Sequence, residues 1–388
     1  MPRRITLAGP AWPFRGGIAH FTGSTARALA ARGAEVELVT FSRQYPERLF
    51  PGKTQLDPGP APPDLPRAHP LVDSMGPRSW WRTARHVADG GADAFVFMHW
   101  MPFFGPAFGT IARRLRRRGV PSVAVVHNAL PHERRPGDRA LTRYALGACR
   151  GLVVLSDGVR ADTDTLGLGI PVVRTDHPSY DVFGPAVPQI DARAALGLPA
   201  RAPVFLFFGF IRRYKGLHVL LDAMARVRAR VPEAQLVVAG EFYADEAALR
   251  AKIDALGGAV RLDARYVPDA EVGRYVCACD AVVQPYVSAT QSGVAQIAFH
   301  FERPVITTDV GGLAETVPDG VAGLVVPPND ADALAGALVR FVEERLGARL
   351  REGVRRERAR TGWDAVAAAV EAAAGFTDSA APGAPGGA

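Results

Sequence analysis

Short apolar runs rich in Val, Ile and Phe alternate with longer stretches of Ala, Leu and Arg along the whole chain. The runs in the first half are RITLAG (4–9), EVELVT (35–40), AFVFMH (94–99), PSVAVVH (121–127) and GLVVLS (151–156). Those in the second half are PVFLFFG (203–209), QLVVAG (235–240), AVVQPY (281–286) and PVITTD (304–309). They read as continuously apolar, the pattern of strands covered on both faces, which predicts parallel sheets with helical crossovers. Residues 176–202 are rich in Pro and Gly and carry no strand signal, so they read as a linker between two doubly wound α/β domains. Beyond the last strand, residues 331–359 predict one long charged helix, residues 363–374 a further helix, and the Gly- and Pro-rich end a disordered tail. Sheets of this kind hold ligands at the carboxyl ends of their strands, so the expected site is the cleft between the domains.

A length of 388 residues agrees with two domains, and 48% hydrophobic with 22% charged residues is an ordinary balance for a globular enzyme. Cys149, Cys277 and Cys279 offer no disulfide framework, which suits a reducing compartment. The basic start runs straight into a strand, without an apolar leader. The stretch AFVFMHWMPFFGPAFG (94–109) is too short and too broken by Pro, Gly and His to span a bilayer, so the expected location is the cytoplasm. The formal charge of +7 is almost wholly arginine, spread along the chain without interleaved aromatics, so nucleic acid is not an expected partner. One cluster stands apart. Arg113, Arg114, Arg116 and Arg117 crowd a predicted helix end, which reads either as a solvated face or as a peripheral contact with anionic lipid at the inner membrane face.

The first strand leads into GPAWPFRGGIAHF (9–21), where Gly16 and Gly17 let the backbone approach a ligand closely before a helix begins. No G-x-G-x-x-G occurs there, which argues against a dehydrogenase. His127 stands at the tip of the fourth strand with Asn128, His132 and Glu133 just beyond; a histidine so placed is either structural or part of the site. In the second half, FFGFIRRYKG (207–216) puts Arg212, Arg213 and Lys215 into a strand-to-helix turn, in a chain with only two other lysines. A compact ammonium suits a multiply charged anion. SATQSGVAQIA (288–298) is a second, uncharged strand-to-helix turn. The amides of Ser292, Gly293 and Val294 open its helix, as a plain N-cap or as an anion cradle. Basic turn, glycine pair and helix start converge on a diphosphate.

The residues that carry these features resemble a known family. GGIAHFTGSTARALAARGAEVELVT (16–40), HNALPHE (127–133), FGFIRRYKGLHVLLDA (208–223) and LVVAGE (236–241) are the first matching pieces. YVPDAEVGRYVCACDAVVQPY (266–286) and RPVITTDVGGLAETVPDGVAGLVVPPND (303–330) follow in family order. They look like retaining glycosyltransferases of the GT-B fold in glycosyltransferase family 4, over nearly the whole chain. The resemblance implies two Rossmann-like domains facing a central cleft, an acceptor-binding one (1–180) and a sugar-nucleotide-binding one (181–345). Helices at 346–375 would cross back to the first domain, and 376–388 would be the disordered tail. The activity implied is transfer of a sugar from a nucleoside-diphosphate sugar to a sugar, glycan or lipid-linked acceptor, with no metal and no other cofactor.

Carried over position by position, Lys215 and Arg212 would hold the leaving diphosphate beside Arg213, with Gly16 and Gly17 facing it from the other domain. Backbone at Tyr266 and Val267 would meet the base, and His127 the donor sugar. The acceptor would lie near His132, Glu133 and loops 41–55 and 78–82, where Trp80 and Trp81 can stack on sugar faces. Two departures matter. Gly209-Phe210 replaces the family's usual Gly-Arg, and the usual pair of glutamates around the donor turn is absent, leaving Gln291 and Gln296 to grip hydroxyls. The D-x-D spellings at Asp162/Asp164 and Asp330/Asp332 fall where helices are expected to start and are not read as metal sites. The missing glutamates keep open a catalytically weak sugar-nucleotide-binding partner subunit, and the shared anion site a GT-B-fold phosphorylase or epimerase.

Overall fold

The computed structural model describes all residues except 1, 47–53, 58, 63, 132–134, 181, 290 and 377–388. Among the described residues thirteen strands form two sheets. The first, ordered β3-β2-β1-β4-β5-β6-β7, contains β1 (Arg4–Ala8), β2 (Glu35–Arg43), β3 (Ala68–Asp73), β4 (Ala94–His99), β5 (Ser122–Val126), β6 (Gly151–Val154) and β7 (Val172–Arg174). The second, ordered β10-β9-β8-β11-β12-β13, contains β8 (Val204–Phe208), β9 (Gln235–Ala239), β10 (Val260–Asp263), β11 (Ala281–Gln284), β12 (Val305–Thr308) and β13 (Gly323–Val326). Every pairing is parallel. Helices cover both faces, so every residue of β4, β5 and β11 is buried, which is why these strands read as unbroken apolar runs.

The nine apolar runs all become strands. The other four strands, β3, β7, β10 and β13, are the four sheet edges. Three of them are only half-buried, and β3 contains Pro70, whose missing N–H an edge tolerates. The single helix expected over 331–359 is two, Ala331–Glu343 and Gly347–Arg360. A left-handed Arg345 (φ 52°) separates them, with Leu346 N–H donating to Phe341 O at 3.1 Å and Arg345 N–H to Val342 O at 3.1 Å, a Schellman-type stop built without glycine.

The linker region holds a short helix, Gln189–Ala195, fastened to the second sheet. Its buried Arg193 donates to Ala278 O (2.9 Å), Ala200 O (2.7 Å) and Asp280 Oδ2 (2.8 Å). The last helix, Trp363–Ala374, packs on the first sheet: Arg32 pairs with Asp364 and Glu371, and Trp363 Nε1 donates to Ser179 O.

Candidate functional site

A cavity of about 330 Å³ opens between the two sheets, within the size range of small-molecule sites. Its wall comes from the loops that leave β1 and β5 in one sheet and β8, β9, β10 and β11 in the other. The first sheet contributes Gly16, Gly17, His20 and Asn128. Gly16 adopts φ 107°, ψ 171°, a conformation that L side chains rarely adopt, as it starts the helix Gly17–Ala31.

In the second sheet, sterics force three chain segments together. A Cβ on Gly240 would fall 2.0 Å from Gly209 O, and one on Gly216 would fall 1.8 Å from Pro285 O. The tight turn Arg213–Lys215 that follows β8 thereby turns Lys215 inward, with Nζ 3.1 Å from where a Gly209 Cβ would stand and 5.5 Å from the Tyr286 ring centre. Lys215 is buried and pairs with no carboxylate among the described residues. Burial pulls its ammonium below the ordinary lysine value, and Arg212 adds to the fall. An entering anion relieves both penalties.

The uncharged turn after β11 begins its helix at Gly293. Ser292 Oγ accepts from Val294 N–H at 3.3 Å and from Gln284 Nε2 at 2.5 Å, so this helix start carries an ordinary N-cap. Gln291, Ser292, Gly293, Val294, Tyr266 and Val267 all line the cavity, and Gln291 Nε2 is buried without a partner among the described residues.

Several expected site residues stand elsewhere. Arg212 and Arg213 are exposed and outside the cavity wall; the Arg212 guanidinium lies 4.9 Å from the Tyr243 ring centre. His127 is buried behind the wall, edge-on to Phe21 at 4.5 Å, and Asn128 takes the place at the cavity. Burial and the neighbouring His177 and His99 lower the His127 pKa to about 3, so it is neutral near pH 7. Gln296 lines a separate small recess with Ser156, Arg174 and His177. Trp80 and Trp81 sit within the helix Pro77–Asp89, not in a loop. Trp80 Nε1 donates to Asp73 O at 2.6 Å, and Trp81 lies 3.6 Å under Arg114. His132 and Glu133 lie outside the described residues.

Of the basic cluster, Arg113 turns inward to the carbonyls of Gly109 and Tyr144, leaving Arg116 and Arg117 at the exposed helix end. Asp162 and Asp164 close a helix, contrary to the expected helix start. Asp330 spends its carboxylate on the amides of Asp332 and Ala333. No cluster of three His, Cys, Asp or Glu side chains arranged for a metal occurs among the described residues. None of their helices is long and apolar enough to cross a membrane.

Sequence reasoning missed the contacts that cross the cleft. Arg15 Nη2 meets Glu241 Oε2 at 2.6 Å with both side chains under 10% exposed, and its guanidinium lies 4.2 Å from the Tyr266 ring centre. His20 faces Asp269 at 3.3 Å; within the first domain, Tyr180 Oη donates to Gly17 O at 3.1 Å. Glu241 and Asp269, the carboxylates of the cavity wall, are thus both met by basic groups flanking Gly16–Gly17. The signal was there for Arg15, the basic residue directly before the glycine pair.

Residues 202–344 match the family model for glycosyl transferases group 1, and residues 15–175 that for glycosyltransferase family 4. A D-inositol 3-phosphate glycosyltransferase of Catenulispora acidiphila is 31% identical over 386 residues, covering 92% of this chain and 90% of that protein. The corresponding protein of Jonesia denitrificans is 29% identical over 394 residues with the same coverage. Among solved structures, sucrose-phosphate synthase of Thermosynechococcus elongatus superposes with a TM-score of 0.72 at 23% identity, covering 94% of this chain and 96% of that one. Anabaena HepE in complex with UDP-glucose gives 0.71 at 17% identity, covering 96% and 98%. The two facing parallel sheets are the GT-B architecture, and the chain belongs to the family 4 glycosyltransferases.

Proposed function

We propose that this glycosyltransferase moves a sugar, with retention at its anomeric carbon, from a nucleoside-diphosphate sugar to a sugar, glycan or lipid-linked acceptor. The observation that carries the reading is Lys215, buried without a carboxylate partner among the described residues, in one cavity with Gly16 and Gly17 of the opposite domain. Charge builds on the departing diphosphate as the glycosidic bond breaks, and a preorganised cation at that point stabilises the transition state more than the ground state. The apolar wall of Val267, Val272 and Ile297 suits the nucleoside, with Tyr266 at its edge. Gln291 offers an uncharged grip on hydroxyls, and Asn128 takes the sugar contact expected of His127. Among the described residues of the cavity wall no carboxylate pair stands free for a double displacement, because Glu241 and Asp269 are engaged by Arg15 and His20. A front-face transfer, in which the leaving phosphate takes the acceptor proton, fits that arrangement. The reaction we propose uses no metal. The acceptor belongs on the first domain, where Tyr45, Trp100 and Phe103 cluster.

The test is incubation of the purified chain with UDP-, GDP- and ADP-sugars, alone and with acceptors that include D-inositol 3-phosphate, before and after chelation. Slow release of nucleoside diphosphate, accelerated by one acceptor, with the product anomer matching the donor, is the expected result. Binding without turnover would instead identify a partner subunit, and an inverted product would end the retaining reading. Gly16 gives a second check. A Cβ there meets nothing within 4 Å, so Gly16→Val should keep the fold at a strain cost of about 1–3 kcal/mol. Turnover should nonetheless fall by about tenfold or more, since backbone strain and side-chain bulk both enter the donor's path. Unchanged turnover in a folded Gly16→Val protein would exclude close approach of donor to this backbone.

A further inference from the structure

We propose that Arg15 is a ligand of the donor's diphosphate and that Glu241 is its counter-charge before the donor binds, so that donor entry exchanges carboxylate for phosphate at this guanidinium. The inference rests on the reading of the cavity as a nucleoside-diphosphate-sugar site. Arg15 directly precedes Gly16, and Glu241 directly follows Gly240, which packs on Gly209 beside Lys215 Nζ. The backbone locks the two strands' exits together, with Ile211 N–H donating to Glu241 O at 2.8 Å. Glu241 therefore stands on the wall with Lys215, and the Arg15 guanidinium holds it from behind that lining. The pair is 2.6 Å apart and nearly sealed from water, which costs desolvation of both charges. Arg15 Nε is also buried and has no hydrogen-bond partner within ordinary limits among the described residues, with the equally unpartnered Tyr243 hydroxyl as its neighbour.

A plain structural pair would not need that orphan or a carboxylate on the cavity wall. Glu241 lines the cavity, where it repels an incoming diphosphate while it holds Arg15. The exchange also ties the domains to the ligand, because Arg15 belongs to the first sheet's loops and Glu241 to the second's.

The sign of one substitution separates this from a merely structural bridge. Affinities of UDP, GDP and ADP and of the matching monophosphates are measured by titration calorimetry, and the base bound most tightly is carried forward. Glu241→Gln should tighten the diphosphate by about tenfold, and the monophosphate less, because removing a negative charge favours the more charged ligand. Arg15→Ala should weaken the diphosphate by about ten- to a hundredfold, the range of a hydrogen bond to a charged group. Should Glu241→Gln fail to fold, Arg15→Met/Glu241→Met, which leaves no orphan charge, keeps the test alive: its diphosphate affinity must exceed that of Arg15→Ala, because the repelling carboxylate is gone. Weaker or unchanged diphosphate binding in Glu241→Gln, or a double variant that binds no better than Arg15→Ala, would overturn the exchange. Lys215→Ala is the control on the site itself. If that variant still binds diphosphate like the wild type, the donor reading fails; if only the Arg15 and Glu241 results fail, the donor reading stands and the exchange alone is lost.

Discussion

Lys215→Ala is expected to lower turnover at saturating donor by about a hundred- to a thousandfold, the loss seen when a donor aimed at developing charge is removed. It should weaken nucleoside diphosphate as well, and it should do so without unfolding the protein. Lys215 has no carboxylate partner among the described residues, so its removal orphans no charge there, and the turn that carries it is held by Gly216 against Pro285 rather than by the side chain. An ammonium kept below its usual pKa by burial is a cost to the folded protein, so the melting temperature should hold or rise. Turnover above a tenth of wild type would remove Lys215 from the leaving group. The neighbouring Arg212→Ala is expected to be the milder lesion, because its guanidinium is exposed over Tyr243 and outside the cavity wall.

Acid should unfold the first domain well above the pH at which carboxylates titrate. His99, His127 and His177 are all buried, and burial lowers their pKa values to about 4, 3 and 4 from 6.5. In the unfolded chain each protonates near 6.5, so below that pH the unfolded state binds more protons than the folded one. Stability is therefore complete above pH 6.5 and is lost as pH falls toward 4. Three such groups give a slope of up to about 4 kcal/mol per pH unit. Glu271, held below its usual range by Arg265, works in the same direction but only below about pH 4.5, so the window from 6.5 to 4.5 belongs to the histidines. Urea unfolding followed from pH 7 to 4.5 should show the slope, and His127→Asn with His177→Asn should flatten it. A flat wild-type profile in that window would show that these rings reach water.

What the sequence disclosed, and what it hid, follow from one physical difference. A strand with neighbours on both sides and helices on both faces is apolar over most of its length, so the nine inner runs were readable. An edge strand has only one neighbour and is partly wet, and β10, Val-Arg-Leu-Asp, gains nothing from being uniformly apolar. β13, Gly-Leu-Val-Val, is largely buried but lies between the turn at Gly320 and two prolines, which mask so short a run. The cavity was legible where it uses backbone: Gly16, Gly17, Gly293 and the turn before Lys215 announce close approach by residue type alone. It was illegible where it depends on which way a side chain turns. Gln291 and Gln296 are five residues apart with the same chemistry, yet one lines the cavity and the other a separate recess. The Arg15–Glu241 pair, 226 positions apart along the chain, could be seen only after folding.

The helix Trp363–Ala374 has a consequence for how the molecule comes into being. It buries Val366, Ala367, Val370 and Ala373 against the first sheet, so closely that a Cβ on Gly151 would sit 2.4 Å from Ala373 O. The unit made first on the ribosome is thus finished last. Until some two hundred further residues have emerged, β5, β6 and β7 wait with an uncovered apolar face, and vectorial synthesis cannot complete the two units one after the other. During translation the N-terminal half is therefore the one that carries uncovered apolar surface, the condition that favours aggregation. Any attempt to express that half alone must graft this helix onto it.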